Sequence, residues 1–223
     1  MAMLQFNLAT SPEPPRILCL GAHPDDIEIG CGSTILRLLA EHPEASVHWA
    51  VFSGGGGPRG AEARASAEDF LSSSGTSPSP HRITVLDFRD GFFPYQGAAV
   101  KDAFETIKAT TKPTIILTHY KDDAHQDHRL IADLTYNTFR DHLILEYEIP
   151  KYDGDLANPN LFIAVSEQAA RRKIELLLRH FATQAERNWF TADTFWALLR
   201  LRGTFPPAPE GLAEAFYCRK AMI

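Results

Sequence analysis

Four short apolar runs, Arg16–Leu20, Ala45–Phe52, Arg82–Phe88 and Thr114–Thr118, alternate with stretches whose apolar residues recur at helical spacing. Runs of this length bounded by turn formers make buried strands. Regular alternation of strand and helix favours right-handed crossovers and a mostly parallel sheet. The clearest helical face is Val100, Ala103, Phe104 and Ile107. The pattern predicts an α/β chain: a single-domain, Rossmann-like, three-layer α/β/α fold over residues 16–223. A loose leader, residues 1–15, precedes it with Ser11-Pro12-Glu13-Pro14-Pro15. Helices are expected from Ser33, from Ala61 to Ser73, over Asp127–His142, Glu167–Gln184 and Thr191–Arg202, with a Ser/Pro loop at Ser72–Pro80. Later strands are expected at Leu143–Ile149, Leu161–Val165 and Ala213–Cys218.

Two of the runs end in unusual polar clusters. The first is followed by Gly21-Ala22-His23-Pro24-Asp25-Asp26-Ile27-Glu28-Ile29-Gly30, the fourth by His119-Tyr120-Lys121-Asp122-Asp123-Ala124-His125-Gln126-Asp127-His128. The carboxyl edge of an open α/β sheet is where such folds place their sites. Catalytic zinc takes about three N or O ligands and keeps a position for water. His23 and Asp26, three residues apart at a strand end, converge on one point. His128 supplies a third ligand if the fourth strand lies beside the first. Two histidines and a carboxylate leave coordination open. Asp25 would then take a proton from the attacking water, and His125 would stand opposite as a cationic donor to a developing oxyanion. Asp127, next to both histidines, would hold an imidazole protonated and oriented. Taken singly, Asp25, Asp26 and Glu28 would merely favour a helix dipole; two acidic-histidine clusters at two strand ends favour the metal. Asp122 and Asp123 read as solvated loop charges, and Asp90 before Gly91 as turn chemistry.

Composition narrows the class. A net charge of −6 argues against nucleic-acid binding. No apolar run approaches the roughly 20 residues of a membrane span. Cys19, Cys31 and Cys218 are odd in number and widely spaced, which reads as reduced thiols in a cytoplasmic protein. The glycines Gly54–Gly57 allow close ligand approach or a plain connector, since no Gly-Lys-Ser/Thr follows.

Gly21 to Glu28 with Gly30-Cys31-Gly32-Ser33 resembles the signature of the LmbE-like, or PIG-L, de-N-acetylase family. Thr118-His119 followed by His125-Gln126-Asp127-His128 resembles its second motif, with Gln126 where His-Pro-Asp-His is usual. The resemblance implies a zinc-dependent hydrolase, iron being the alternative metal, that removes acetyl from an N-acetylated amino sugar. It implies zinc ligands His23, Asp26 and His128, a general base Asp25, and His125 steadying the tetrahedral intermediate with Asp127 orienting it. The arginine that holds substrate on the helix after the glycine loop would be Arg64; a surface ion pair to Glu68 is the equal alternative. The expected partner is a small acetylated sugar, with a homo-oligomer left open. The rivals are a hydrolase of another amide or phosphoester, and a sugar- or nucleotide-binding module without catalysis.

Overall fold

Three of the four apolar runs become strands buried on both faces, and Arg82–Phe88 becomes a partly exposed strand at the sheet edge. In β1 (Arg16–Gly21), Ile17 and Cys19 face one core while Leu18 and Leu20 face the other, as expected where helices cover both sides of a parallel sheet. The computed structural model describes residues 13–72 and 81–222. The leader up to residue 12 and the Ser/Pro loop at 73–80, with its Gly75, lie outside the described residues.

After β1 the chain runs α1 (Asp26–Glu41), β2 (Ser46–Ser53), α2 (Pro58–Ser72), β3 (Arg82–Phe88), α3 (Gly97–Thr110), β4 (Ile115–His119), α4 (Gln126–Thr138), β5 (Leu143–Tyr147), β6 (Leu161–Ala164), α5 (Glu167–His180), α6 (Ala192–Gly203) and β7 (Ala213–Tyr217). The sheet order is β3-β2-β1-β4-β5-β7-β6. Strands β1 to β5 are parallel, and β7 pairs antiparallel with both β5 and β6. Strand order reverses between β1 and β4, so right-handed crossovers put α1 and α2 on one face and α3 and α4 on the other. The two cores follow this division: Ile35, Phe70, Ile174 and Leu199 lie in one, Val100, Phe104 and Ile131 in the other.

Several boundaries differ from the periodicity. Helix α1 begins at Asp26, seven residues before the apolar pattern, because its first turn is the polar cluster itself. Pro24 therefore sits in the turn ahead of the helix. Helix α4 stops at Thr138, and α5 at His180 with a separate 3-10 turn over Ala182–Gln184. Among the described residues no helix is long and apolar enough to cross a membrane.

The glycines after the first cluster have a steric cause. A Cβ at Gly30 would stand 2.1 Å from the ring of Tyr147, and one at Gly32 2.9 Å from Phe70. The Tyr147 hydroxyl in turn donates to the Leu20 carbonyl at 2.6 Å, which locks α1 against β1 and β5.

One packed histidine has a measurable consequence. His48 on β2 is 5% exposed and bonds the hydroxyls of Thr111 at 2.8 Å and Thr84 at 2.9 Å. Burial, then the charge of Arg82, lowers its pKa to about 4. Between pH 4 and 6.5 the unfolded chain holds a proton that the folded chain excludes, so stability rises with pH across that window. The contribution is on the order of 2–3 kcal/mol. Urea unfolding at pH 4.5 and 6.5 should show a difference that shrinks by this amount in His48→Gln. An unchanged difference would exclude His48 as its source.

Candidate metal centre

The two clusters meet where strand order reverses. Parallel pairing of β1 with β4 sets Cys19 beside Leu117, so the turns leaving both strands share one crevice. There His23 Nδ1 lies 3.1 Å from His128 Nε2. The Asp26 carboxylate stands 3.5 Å from each of these nitrogens. Zinc bonds of 2.0–2.1 Å in a tetrahedron require donor atoms about 3.3 Å apart; the two nitrogens are 3.1 Å apart, and each stands 3.5 Å from a different oxygen of Asp26. His23, Asp26 and His128 are all buried.

Each imidazole is backed by a carboxylate on its other nitrogen. His23 Nε2 is 3.2 Å from Asp127 Oδ2 and 3.0 Å from Asp90 Oδ1. His128 Nδ1 is 3.0 Å from Asp123 Oδ2. Such pairing puts the hydrogen on the outer nitrogen and leaves the inner lone pair facing the centre. Burial lowers the His128 pKa to about 4, helped by neighbouring His119. Burial also disfavours charge on His23, but bonds to Asp127, Asp26 and Asp90 raise it well above the usual range. Burial raises Asp26, yet the charges of His128 and His119 and the bonds to His119 and His23 hold it well below normal. The centre therefore favours a positive charge, either a proton on His23 or a cation. Donor type, spacing and sign all fit a divalent metal.

The remaining residues sort differently from the reading of the sequence. Asp25 is the N-cap of α1 in a left-handed conformation, φ 96°, the one such non-glycine residue among those described. That geometry is uncommon for aspartate and concentrates at functional sites. Burial and the charge of Asp26 raise its pKa well above normal, with Arg59 opposing. Asp127 does not hold His125 through its carboxylate. Its oxygens accept from Gly91 N–H at 2.6 Å and Phe93 N–H at 3.0 Å, and the imidazole they orient is His23. His125 is instead fixed by the Asp127 backbone N–H, which donates to His125 Nδ1 at 3.2 Å and leaves the ring hydrogen on Nε2. Burial and the charge of His23 lower its pKa, which disfavours the cationic form.

A family profile described as PIG-L, GlcNAc-PI de-N-acetylase, matches residues 18–139, which include every residue of this centre. The chain belongs to the PIG-L family. It is 26% identical over 179 residues to the uncharacterized deacetylase YaiS of Escherichia coli K12, covering 78% of this chain and 94% of that one. Its fold is similar to N,N'-diacetylchitobiose deacetylase of Pyrococcus horikoshii, with TM-score 0.67, 18% identity and coverage of 92% and 84%. It is equally similar to GalB, the 4-carboxy-2-hydroxymuconate hydratase of Pseudomonas putida KT2440, with TM-score 0.69, 15% identity and coverage of 94% and 98%. At such identities the structures establish the fold alone.

Within this PIG-L chain the structure brings in residues the sequence did not single out. Arg64 turns toward β3 and donates to the Val85 carbonyl at 3.2 Å. The arginine at the centre is Arg59, 3.5 Å from Asp25 Oδ1, 3.6 Å from Asp90 Oδ2, and bonded to the Pro24 carbonyl at 2.8 Å. Asp90 does sit in a turn, with Gly91 at φ 77°, but it also faces His23. Asp123 is buried rather than solvated. His119, fully buried, accepts the Ala22 N–H at 2.9 Å and stacks on His128 with ring centroids 3.9 Å apart. It is also 3.2 Å from Asp26, so Asp26, His119 and His128 form a donor group overlapping the first. Gln126, the departure from the usual motif, donates to the Gly91 carbonyl and ties α4 to the Asp90 turn.

Proposed function

We propose that this chain is a divalent-cation-dependent hydrolase that removes the acetyl group from an N-acetylated amino sugar, releasing acetate and a free amine. The observation that carries the reading is the convergence of His23 Nδ1, His128 Nε2 and the Asp26 carboxylate at 3.1–3.5 Å. Family membership and the likeness in fold to the chitobiose deacetylase support the substrate class.

His23, Asp26 and His128 would hold zinc, or iron in its place, and the cation would supply Lewis acidity to the amide carbonyl and to a water molecule. Asp25, beside Asp26 at the start of α1, removes a proton from the attacking water. His125, its hydrogen on Nε2, donates to the oxygen that gains charge in the tetrahedral state. His125 is held by a backbone N–H and Asp25 stands beside the Arg59 guanidinium before substrate arrives, and groups set in advance are the condition for electrostatic stabilisation of a transition state. Arg59 and Asp90, at the rim, are placed to bind sugar hydroxyls. Transfer of the proton to the departing nitrogen returns Asp25 to its carboxylate.

Acetate release from a panel of N-acetylglucosamine derivatives tests the reading. Chelation should abolish it and one equivalent of Zn2+ or Fe2+ should restore it. Cation-independent acetate release would refute the metal assignment. Hydration of an unsaturated carboxylic acid with no acetate release would move the chain to the chemistry of the other structural neighbour.

A further inference from the structure

Asp123 lies in the loop between β4 and α4, where a carboxylate would ordinarily be hydrated, yet it is 2% exposed. Its Oδ1 accepts the His125 N–H at 2.7 Å. Its Oδ2 lies 3.0 Å from His128 Nδ1 and 3.1 Å from Lys151 Nζ. One carboxylate thus holds His125 by its backbone N–H and His128 by its ring.

Lys151 comes from a different loop, after β5, and its side chain is only 9% exposed. Its ammonium also bonds Asp155 at 2.6 and 2.8 Å, and Asp155 accepts the Ala124 N–H at 2.7 Å. The two loops are therefore sewn together in a closed circuit through Asp123, Lys151, Asp155 and Ala124. Asp153 stands 3.8 Å from the same ammonium. Removing the lysine leaves three carboxylates facing one another with no cation among them, and a buried group stripped of its partner moves or hydrates.

We propose that Asp123 and Lys151 form a positioning relay that sets the cation affinity of His128. The proposal rests on the functional reading above. Asp123 fixes the tautomer and ring plane of His128, so that Nε2 presents its lone pair to the centre, and it makes the imidazole more basic. Lys151 fixes Asp123. Neither residue touches the reacting atoms. The loop over residues 150–155 thereby becomes part of the metal centre, although nothing in it ligates.

The test is Zn2+ affinity of the metal-stripped protein, measured by competition with a chromophoric chelator, alongside its thermal midpoint without metal. Asp123→Asn, which cannot serve His125, His128 and Lys151 together, should bind Zn2+ about 10–100-fold more weakly. Lys151→Met should lose about tenfold, and Lys151→Arg, which keeps the charge, should lose less. Acetate release should fall at limiting zinc and recover at saturating zinc. If Lys151→Met does not fold, Asp155→Asn loosens the same circuit and should also weaken zinc. Parent-like zinc affinity in Asp123→Asn and in whichever of these two variants folds, with the parent binding zinc and releasing acetate, would overturn the relay alone. A parent that binds no zinc would overturn the relay and the functional reading together.

Discussion

Asp25→Asn should lose about two to four orders of magnitude in turnover while keeping its cation and its fold. The size follows from the role: general base catalysis contributes about 10²–10⁴-fold, and an amide side chain cannot take a proton at neutral pH. Retention of the fold follows from the backbone. Asp25 sits at φ 96°, and asparagine is among the few residues enriched at positive φ, so the turn into α1 survives where alanine would strain it. The carboxylate is also a liability to stability. Burial and the neighbouring Asp26 raise its pKa well above normal, the sign of an anion held where it is disfavoured. Its removal should leave thermal stability equal or higher, while Arg59 loses one of its contacts. A variant that is more stable, still loaded with metal and inert toward N-acetylated substrate would separate chemistry from structure. Turnover within tenfold of the parent would exclude Asp25 as the base, whatever the metal content.

The strands around the centre, though not their order, were legible because a buried parallel strand is apolar on both faces and leaves an uninterrupted run. That signal placed β1 and β4. Their adjacency was left conditional, since pairing of distant strands carries no local mark. The proposed ligands His23, Asp26 and His128 could be nominated because they lie in the turns and helix starts that leave those strands, and their side chains do come together. The supporting residues were not. Asp123 looks like any loop carboxylate, and only the five-residue offset to His128, with Lys151 arriving from 28 positions away, makes it a buried partner. Arg59 and Arg64 share one helix, and spacing alone could not show which turns inward. Asp127 is flanked by two histidines in sequence, yet it orients a third, His23, 104 residues distant. Local order misleads where the chain folds back on itself. The apolar pattern of α1 begins only at Ser33 for a related reason: its first turn is polar and buried, which hydrophobic periodicity cannot register.

That first turn depends on a second buried pair, and there the largest stability effect is expected. Helix α1 is broken at Cys31, φ −147°. In an unbroken helix the Ser33 N–H and the Ile29 carbonyl would bond each other. Instead Ser33 N–H donates to Glu214 Oε1 at 3.0 Å and Thr34 N–H to Oε2 at 2.7 Å, while Lys173 Nζ donates to the Ile29 carbonyl at 2.6 Å. Lys173 and Glu214 close the gap with a 2.6 Å ion pair, both less than 5% exposed. The pair stands in for the missing helical bond, so removing one member leaves a buried charge and unpartnered backbone. Breaking a buried pair costs about 3–5 kcal/mol. Glu214→Leu should lie at the top of that range, because it also uncaps two N–H groups. Lys173→Met should cost less, since Glu214 keeps both amides. For a chain of this size the loss corresponds to roughly 6–20 °C in the melting midpoint. The double variant should cost less than the two single losses added, because the residues are in direct contact. A loss under about 1 kcal/mol in Glu214→Leu would show that the break is held by the packing of Gly30 against Tyr147 and of Gly32 against Phe70 instead. Because Asp26 lies on the segment before the break, weakening the pair should also loosen the turn that carries the proposed ligand and base, lowering zinc affinity before the fold as a whole gives way.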